Sequence, residues 1–385
     1  MPTNTFSARF TRRDALRMLC AAAATATYPK FASGAAPEFP KGAVIRTLLK
    51  DYAPEELGSG ATLFHEHMSL PGDFNIRWAD YSRQTREANG EAPVGAGGAG
   101  RQGAAPATRP PENAPSGAYF MRDADFMTEE MRQAKADGIA CIVDGGHADM
   151  GRDLNFLKTI SQKSGLPIVV GGGFYAQVFY PKEISTWSEN QIYDALIKQV
   201  ESEHIGAFGE IGSWDYITAD ERKVFRAVGR AQAATNLPIF THTGIPGKSA
   251  LEQLDILEDS GARPQHIVIG HLGNLVDGKV QIQKQLCRRG CFVGFDRQGG
   301  QGDAQQVPMV MALIEAGFAQ NLLFSSDFSA FRQTKQAGGA GYAKTLTVFV
   351  PKLKEAGASD EVLHTIMVDN PRRFLAFVPK KPRRT

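Results

Sequence analysis

Short apolar runs alternate with longer amphipathic stretches from residue 60 to the end of the chain. Each run is nearly continuous in apolar residues, which is typical of strands buried on both faces of a parallel sheet. The pattern therefore predicts eight strands, at Ala61–His65, Ile139–Asp144, Pro167–Phe174, Gly206–Ile211, Pro238–Thr243, His266–His271, Cys291–Phe295 and Leu322–Ser326.

The stretches between these runs show the period of amphipathic helices. Examples are Phe126–Ala136, Leu154–Ser164, Glu189–Glu203, Glu221–Thr235 and Ser249–Asp259. Strand–helix alternation repeated eight times predicts a (β/α)8 barrel, also called a TIM barrel, in which residues 36–385 form one domain. The alternative is an open doubly wound sheet, but that fold would not collect polar residues at the ends of so many strands.

Residues 89–117 interrupt this rhythm. The segment is rich in Gly, Ala and Pro and almost without large apolar side chains. Such a composition buries too little surface to offset the entropy lost on ordering. We predict a flexible insertion after the first strand, with a lid over the catalytic face as the alternative.

The amino terminus has the composition of a targeting segment. Arg12 and Arg13 precede a modestly apolar run, Ala15–Tyr28, which is followed by small residues up to Ala35. This order predicts a signal peptide over residues 1–35, of the twin-arginine type, and a periplasmic location. The alternative is a tail in which the two arginines are adjacent by chance.

Composition and charge exclude several classes of partner. The chain has 385 residues, 42% of them apolar, and a formal net charge of +2. It is therefore a globular protein without the clustered basic residues expected for binding nucleic acid or a membrane surface. Cys141 lies in an apolar run, whereas Cys287 and Cys291 are close enough in sequence to form a disulfide in an oxidising compartment.

Polar side chains that bind metals recur where the predicted strands end. His65 and His67 are two apart on one strand, so they project from the same face while Glu66 faces the other side. In a barrel, the carboxyl ends of all strands converge on one face, where active sites are built. The sequence thus predicts one metal site formed by His65, His67, Glu210, His242, His271 and Asp327.

The chain resembles the phosphotriesterase-like family of the amidohydrolase superfamily from about Val44 to Phe377. Glutamate stands at position 210, where many members carry a carboxylated lysine; some relatives use glutamate directly. The segments that carry the resemblance are Glu56-Leu57-Gly58, Thr62-Leu63-Phe64-His65-Glu66-His67, Val143-Asp144, Gly151-Arg152-Asp153, Gly209-Glu210-Ile211-Gly212, Thr241-His242-Thr243, Gly270-His271-Leu272, Ser325-Ser326-Asp327 and Asp369-Asn370-Pro371-Arg372-Arg373-Phe374.

The resemblance implies a pair of divalent ions, most simply Zn²⁺, with manganese, iron or cobalt as alternatives. One ion would be held by His65, His67 and Asp327. The other would be held by His242 and His271, and Glu210 would bridge the two. A hydroxide bridging such a pair is available near neutral pH, because the metals lower the pKa of water from about 15.7 to about 7.

The reaction implied is attack of that hydroxide on a lactone, carboxylic ester, amide or phosphoester. Asp327 would take the proton and deliver it to the leaving group. Tyr175 resembles a tyrosine that lactone-hydrolysing relatives place near the substrate carbonyl, although a packing role is an equal alternative. His147 and Arg297 are further substrate-binding candidates, against the alternatives of a loop residue and a local ion pair.

Two other functions compete with this hypothesis. A metal-dependent nuclease of the same superfamily would also use His65, His67 and Glu210, but it would need a basic groove to bind the phosphates. A non-enzymatic metal-binding or ligand-binding protein would have lost at least one of the six residues. We therefore expect a small-molecule substrate, no nucleic acid and no membrane, and the resemblance admits a homodimer.

Overall fold

The eight predicted strands form one parallel sheet in chain order. The computed structural model describes residues 37–88, 90, 113–244, 247–275, 277 and 279–381. A short antiparallel pair, β1 (Ile45–Arg46) and β2 (Asp51–Tyr52), precedes the sheet. The sheet runs sequentially through β3 (Ala61–Glu66), β4 (Ile139–Asp144), β5 (Ile168–Gly172), β6 (Ala207–Gly212), β7 (Ile239–His242), β8 (Ile267–Ile269), β9 (Phe292–Phe295) and β10 (Leu322–Phe324).

The first and last strands of the sheet meet just beyond the end of β10. The backbone N–H of Asp327 donates to the carbonyl of His65 at 3.2 Å, and the N–H of His67 donates to the carbonyl of Phe328 at 3.2 Å. The side chain of Ser325 adds a hydrogen bond to the same His65 carbonyl at 2.8 Å. These bonds join the two edges, and the predicted (β/α)8 barrel is confirmed.

Helices follow the strands and start where the sequence supplies a cap. Asp153, for example, accepts hydrogen bonds from the N–H groups of Asn155 and Phe156, and Thr218 forms a capping box with Glu221. Two short π-helical turns, Thr345–Phe349 and Thr365–Asp369, lie near the carboxyl terminus. The α-helices are α1 (Phe74–Ala88), α2 (Ala124–Ala136), α3 (Leu154–Ser164), α4 (Glu189–Glu203), α5 (Ala219–Thr235), α6 (Ala250–Asp259), α7 (Gln281–Arg288), α8 (Asp303–Glu315), α9 (Val350–Glu355), α10 (Asp360–His364) and α11 (Asn370–Leu375).

The amino-terminal end of the barrel, here called the base, is closed by apolar packing. Val44 and Phe377 form an antiparallel bridge across it, with hydrogen bonds of 2.9 and 3.0 Å. One cluster of buried side chains fills the barrel behind this bridge and includes residues of the base and of most strands. Its members include Ile45, Leu57, Phe64, Val143, Val169, Phe240, Val268, Phe292, Leu323 and Phe374.

The structure tests only some of the remaining expectations from the sequence. The signal peptide over residues 1–35 lies outside the described residues, as does most of the 89–117 insertion, so both stay predictions. Cys287 and Cys291 are buried free thiols. Among the described helices, none has both the length and the apolar character that crossing a membrane requires.

Candidate metal centre

All six predicted ligands lie at the carboxyl-terminal end of the barrel, here called the mouth. His65 is in β3 and His67 follows it directly, Glu210 is in β6, and His242 is the last residue of β7. His271 and Asp327 come just after β8 and β10. The mouth therefore brings together side chains that are up to 262 positions apart in the printed sequence (327 − 65).

The alternation expected for the first strand is present. The rings of His65 and His67 lie 5.3 Å apart on the inner side. Glu66 faces away, and its carboxylate accepts hydrogen bonds from the hydroxyls of Ser325 and Ser326, both at 2.7 Å, and from the N–H of Phe328 at 2.8 Å. Glu66 thus holds the segment that carries Asp327 in position, and its own side chain lies outside the group of predicted ligands.

The carboxylate of Glu210 lies between two pairs of histidines. Its Oε2 is 3.3 Å from Nε2 of His65 and 3.6 Å from Nε2 of His67. Its Oε1 is 2.6 Å from Nδ1 of His242 and 3.0 Å from Nε2 of His271. One carboxylate therefore presents one oxygen to each pair, which is the arrangement required of a group that bridges two cations.

Asp296 determines which ring nitrogens can receive a cation. Its carboxylate lies 3.0 Å from Nδ1 of His65 and 2.8 Å from Nδ1 of His271, and it also accepts the backbone N–H of His271. A histidine that donates from Nδ1 to a carboxylate carries its lone pair on Nε2. In both residues Nε2 faces Glu210, an acceptor, so the contact is favourable when Nε2 carries either a proton or a metal cation.

The donor set consequently fits divalent metal ions. Three groups of side chains have their ligand atoms within 4.8 Å of one another: His65, His67 and Glu210; His65, His271 and Asp296; and Glu210, His242 and His271. Imidazole and carboxylate together suit zinc and other first-row transition metals. That these particular side chains bind metal stays a prediction.

Asp327 completes the inner surface on the side of His67. Its Oδ1 is 3.3 Å from Nε2 of His67, and its Oδ2 accepts a 3.0 Å hydrogen bond from Nε of Arg297. Burial raises the pKa of Asp327, but His67 and the Arg297 guanidinium outweigh burial and hold the pKa well below its usual range. Asp327 is therefore an anion at neutral pH.

The charges of the neighbouring groups follow from the same contacts. Burial raises the pKa of Glu210, yet His65 and His242 lower it well below its usual range. Burial and the charge of His271 lower the pKa of His242 to about 4, despite the opposing effect of Glu210. A neutral imidazole beside an ionised carboxylate is the state in which both can bind a metal.

Two of the predicted ligands have a rare backbone conformation. His271 has φ 60° and Asp327 has φ 47°, both in the left-handed region, which non-glycine residues seldom adopt. Such conformations concentrate at functional sites, where the surrounding structure holds them. Here Asp296 binds the N–H of His271, and the N–H of Asp327 is bound by His65.

The candidate substrate residues differ in their placement. The Tyr175 hydroxyl lies 3.0 Å from Nδ1 of His242, inside the group of predicted ligands. Arg297 reaches the same group through Asp327. His147 is buried, 3.6 Å from a carboxylate oxygen of Asp149, and among the described residues neither of its ring nitrogens has a hydrogen-bond partner.

The sequence analysis did not identify α1 as part of the site. This helix follows β3 and places Trp78 edge-on against His242, with ring centres 4.7 Å apart. Phe74 packs 6.0 Å from Tyr175, and Tyr81 lies 6.4 Å from Trp214. Phe74, Trp78 and Tyr81 are spaced i, i+4, i+7, which is the signal of one helical face and could have located an aromatic wall.

Comparisons with known proteins agree with the observed fold. A sequence model described as the phosphotriesterase family matches residues 50–375. Human N-acetyltaurine hydrolase is 28% identical over 276 residues, covering 66% of this chain and 78% of that protein. A resiniferatoxin-binding protein from Rhodobacter sphaeroides superimposes with a TM-score of 0.70 at 28% identity, covering 89% of this chain and 98% of the other. A lactonase from Listeria monocytogenes shares the fold, with a TM-score of 0.68 at 24% identity over 86% of this chain and 98% of its own.

Proposed function

The chain belongs to the phosphotriesterase family and is a metal-dependent hydrolase, and we propose that it hydrolyses small carboxylic acyl compounds at a two-metal centre, with amides as the preferred substrates. The placement of Glu210 supports two ions, since each of its oxygens faces a different pair of histidines. The relative named N-acetyltaurine hydrolase supports an amide as the bond to be cleaved.

In this proposal, His65, His67 and Asp327 would hold one ion, His242 and His271 would hold the other, and Glu210 would contribute a carboxylate oxygen to each. Divalent ions at such a centre act as Lewis acids, which polarise a substrate carbonyl and make water acidic enough to react near neutral pH. Asp296 keeps His65 and His271 in the tautomer that leaves Nε2 free to bind.

The chain's own side chains then handle protons and position the substrate. Hydrolysis adds the oxygen of water to the acyl carbon and breaks the bond from that carbon to the leaving nitrogen or oxygen. Asp327, an anion hydrogen-bonded to Arg297, accepts the proton of water and passes it to the leaving atom. Arg297 holds Asp327 in one orientation during both transfers.

Tyr175 lies beside His242 in the same group of side chains. Burial raises the pKa of its hydroxyl well above the usual value, and Glu210 and Asp327 raise it further. The hydroxyl therefore stays protonated and can donate a hydrogen bond to the carbonyl oxygen as negative charge develops there. Trp78, which is half-buried, packs against Tyr175 with ring centres 5.7 Å apart and would offer an apolar surface to the acyl group.

A metal-reconstitution experiment tests the proposal. The protein would be stripped with a chelator, reloaded with Zn²⁺, and assayed against N-acyl amino acids, lactones, aryl esters and phosphotriesters, with metal content measured in parallel. We expect about two ions per chain and amide hydrolysis that depends on them. A preference for phosphotriesters would show that the proposed acyl substrate class is wrong.

Matched carboxylate variants make this experiment specific. Glu210→Ala should lose at least one ion and nearly all turnover, because the bridging group is gone. Glu129→Ala removes an exposed carboxylate of α2 and should keep both. Full metal content in Glu210→Ala, or no ion in the folded wild type, would refute the two-metal centre.

A further inference from the structure

Four buried side chains at the mouth form a closed ring of contacts: Asp296, His65, Glu210 and His271. Oδ2 of Asp296 lies 3.0 Å from Nδ1 of His65, and its Oδ1 lies 2.8 Å from Nδ1 of His271. On the far side of the same two imidazoles, the Glu210 carboxylate lies 3.3 Å from Nε2 of His65 and 3.0 Å from Nε2 of His271. Each imidazole is therefore held between two carboxylates, one at each of its nitrogens.

The other two predicted histidine ligands are held at one ring nitrogen only. Nδ1 of His67 and Nε2 of His242 are buried, and neither has a hydrogen-bond partner among the described residues. The position of His65 and the position of His271 therefore each contain one histidine that Asp296 orients and one that it does not. Within the described part of the chain, Asp296 is the group that selects a ring tautomer in both ion positions.

The two oxygens of Asp296 are divided between the two histidines. Oδ2 faces Nδ1 of His65 and Oδ1 faces Nδ1 of His271, while the backbone N–H of His271 lies 3.0 and 3.1 Å from the two oxygens. An ionised carboxylate only accepts hydrogen bonds, so both rings keep a proton on Nδ1 and leave Nε2 available to an ion. One buried side chain thereby prepares one ligand for each ion position.

An amide in the same place would behave differently. Asparagine has the shape of aspartate, but one of its two terminal atoms is an acceptor and the other is a donor. It can therefore accept a hydrogen bond from only one of the two Nδ1–H groups. The second ring would face an NH₂ group, which favours the tautomer with the proton on Nε2, and a protonated Nε2 cannot bind a metal. Alanine would leave both rings without an acceptor.

We propose that Asp296 is a positioning residue that determines how many ions the centre holds. With two acceptor oxygens, both ion positions can be filled. With one acceptor, only one position keeps its full affinity, and with none, both positions are weakened. The proposal rests on the proposed function in one respect, the presence of two ion positions that share Glu210. It concerns the number of ions and their retention, so it is independent of which substrate is cleaved.

Zinc retention by the loaded enzyme tests this role. The zinc-loaded protein would be dialysed against buffers that hold free Zn²⁺ at graded concentrations, and the zinc per chain would be measured at each. The wild type should release two ions. Asp296→Asn should release one of them at about 10- to 100-fold higher free Zn²⁺ and the other at about the wild-type concentration, because a group behind a histidine ligand contributes that much to metal affinity. In Asp296→Ala both ions should be released at the higher concentrations.

Asp303→Asn is the matched control. Asp303 is buried as deeply as Asp296 and also follows β9, but its carboxylate binds the N–H of Gly299 at 3.0 Å and the ammonium of Lys352 at 2.6 Å. The substitution removes a buried negative charge without changing the acceptor of a predicted histidine ligand. Both ions should therefore be released at about the wild-type concentrations of free Zn²⁺, and circular dichroism would check that each variant is folded.

The number of ions released separates failure of this proposal from failure of the proposed function. A wild type that binds only one ion would refute the two-metal centre, and the role of Asp296 with it. Two ions in the wild type, with Asp296→Asn either unchanged or losing both ions in parallel, would refute only the division of Asp296 between the two positions.

A measurement on the wild type alone gives a further test that does not depend on the folding of a variant. Nitrogen NMR of the zinc-loaded protein should show a proton on Nδ1 of both His65 and His271, the two rings that Asp296 contacts. A ring with its proton on Nε2, or with zinc on Nδ1, would overturn the role of Asp296.

Discussion

The two ends of the barrel bury very different side chains. The base is apolar: Ile45, Leu57 and Phe374 close it, and the bridge between Val44 and Phe377 satisfies its exposed backbone. The mouth buries charge equally deeply, with Glu210 and Asp296 each 1% exposed. Burying apolar surface stabilises a fold, whereas burying charge costs free energy unless each group is paired. We infer that apolar packing at the base stabilises the fold. This stabilisation offsets the free-energy cost of holding buried charged groups in place at the mouth.

The largest expected effect of a single change is at the mouth. Asp327→Asn keeps the size of the side chain and removes its ability to accept a proton. We expect kcat to fall about 1000-fold or more, equivalent to about 4 kcal/mol of transition-state stabilisation, with most of the metal retained. Turnover and metal content would be measured on the same sample.

Arg297→Met is a useful companion to Asp327→Asn. It removes the hydrogen bond to Oδ2 of Asp327 but leaves the carboxylate itself. Its loss of kcat should therefore be smaller than that of Asp327→Asn. Retained activity in Asp327→Asn would exclude the proton-transfer role. It would also contradict the inference that the charged groups at the mouth are held there for catalysis.

The next largest effect should come from the base. Phe374 is completely buried and packs edge-on against Phe292, with ring centres 5.9 Å apart. Phe374→Ala should lower the free energy of unfolding by about 3–4 kcal/mol through lost burial and a cavity. Urea unfolding would measure this loss, and kcat per folded molecule should stay within about twofold of wild type. A large fall in kcat would show that the base and the mouth are coupled, contrary to our inference.

Glu221 lies in the helix turn that follows β6, with its carboxylate 3.5 Å from the Tyr81 hydroxyl of α1, and it can show whether buried charge at the mouth lowers stability. Burial raises the pKa of this carboxyl, at the start of α5, to about 7, although hydrogen bonds from Thr218 and Gln177 oppose the shift. In the unfolded chain the carboxyl loses its proton near pH 4.5. Between these values the folded state binds more protons than the unfolded state, so stability falls as pH rises from about 4.5 to about 7.

Glu221→Gln should remove this slope, because Gln is neutral and can still serve in the capping box with Thr218. Relative to wild type, the variant should gain about 2–3 kcal/mol of stability between pH 5 and pH 8. Urea unfolding across this range measures the gain. Glu189→Gln, at the exposed start of α4, is the control and should show a constant difference from wild type. A constant difference for Glu221→Gln as well would remove this evidence that the mouth costs stability.

The sequence located the barrel and the six predicted ligands because both depend on local patterns. An apolar run followed by His, Glu or Asp marks the end of a parallel strand, and the position of Glu210 or His271 needs no knowledge of its neighbours. No local pattern indicates the role of Asp296, because the orientation it gives His65 and His271 depends on contacts between strands. The same holds for α1, whose aromatic residues become part of the site only when the helix packs over the mouth.

The smallest expected effect decides between the two roles considered for Tyr175. Its ring packs 5.3 Å from that of His242, which a phenylalanine would reproduce, but its hydroxyl is 3.0 Å from the His242 Nδ1. Tyr175→Phe should therefore lower kcat/KM about 10- to 30-fold, or about 1.4–2 kcal/mol, through loss of a hydrogen bond to the developing negative charge. Phe179→Leu changes a ring that packs 5.4 Å from that of Tyr175 and removes no hydroxyl, so it measures the contribution of packing alone. If both variants keep wild-type kcat/KM, Tyr175 is a packing residue and oxyanion stabilisation at the mouth comes from the metal ions.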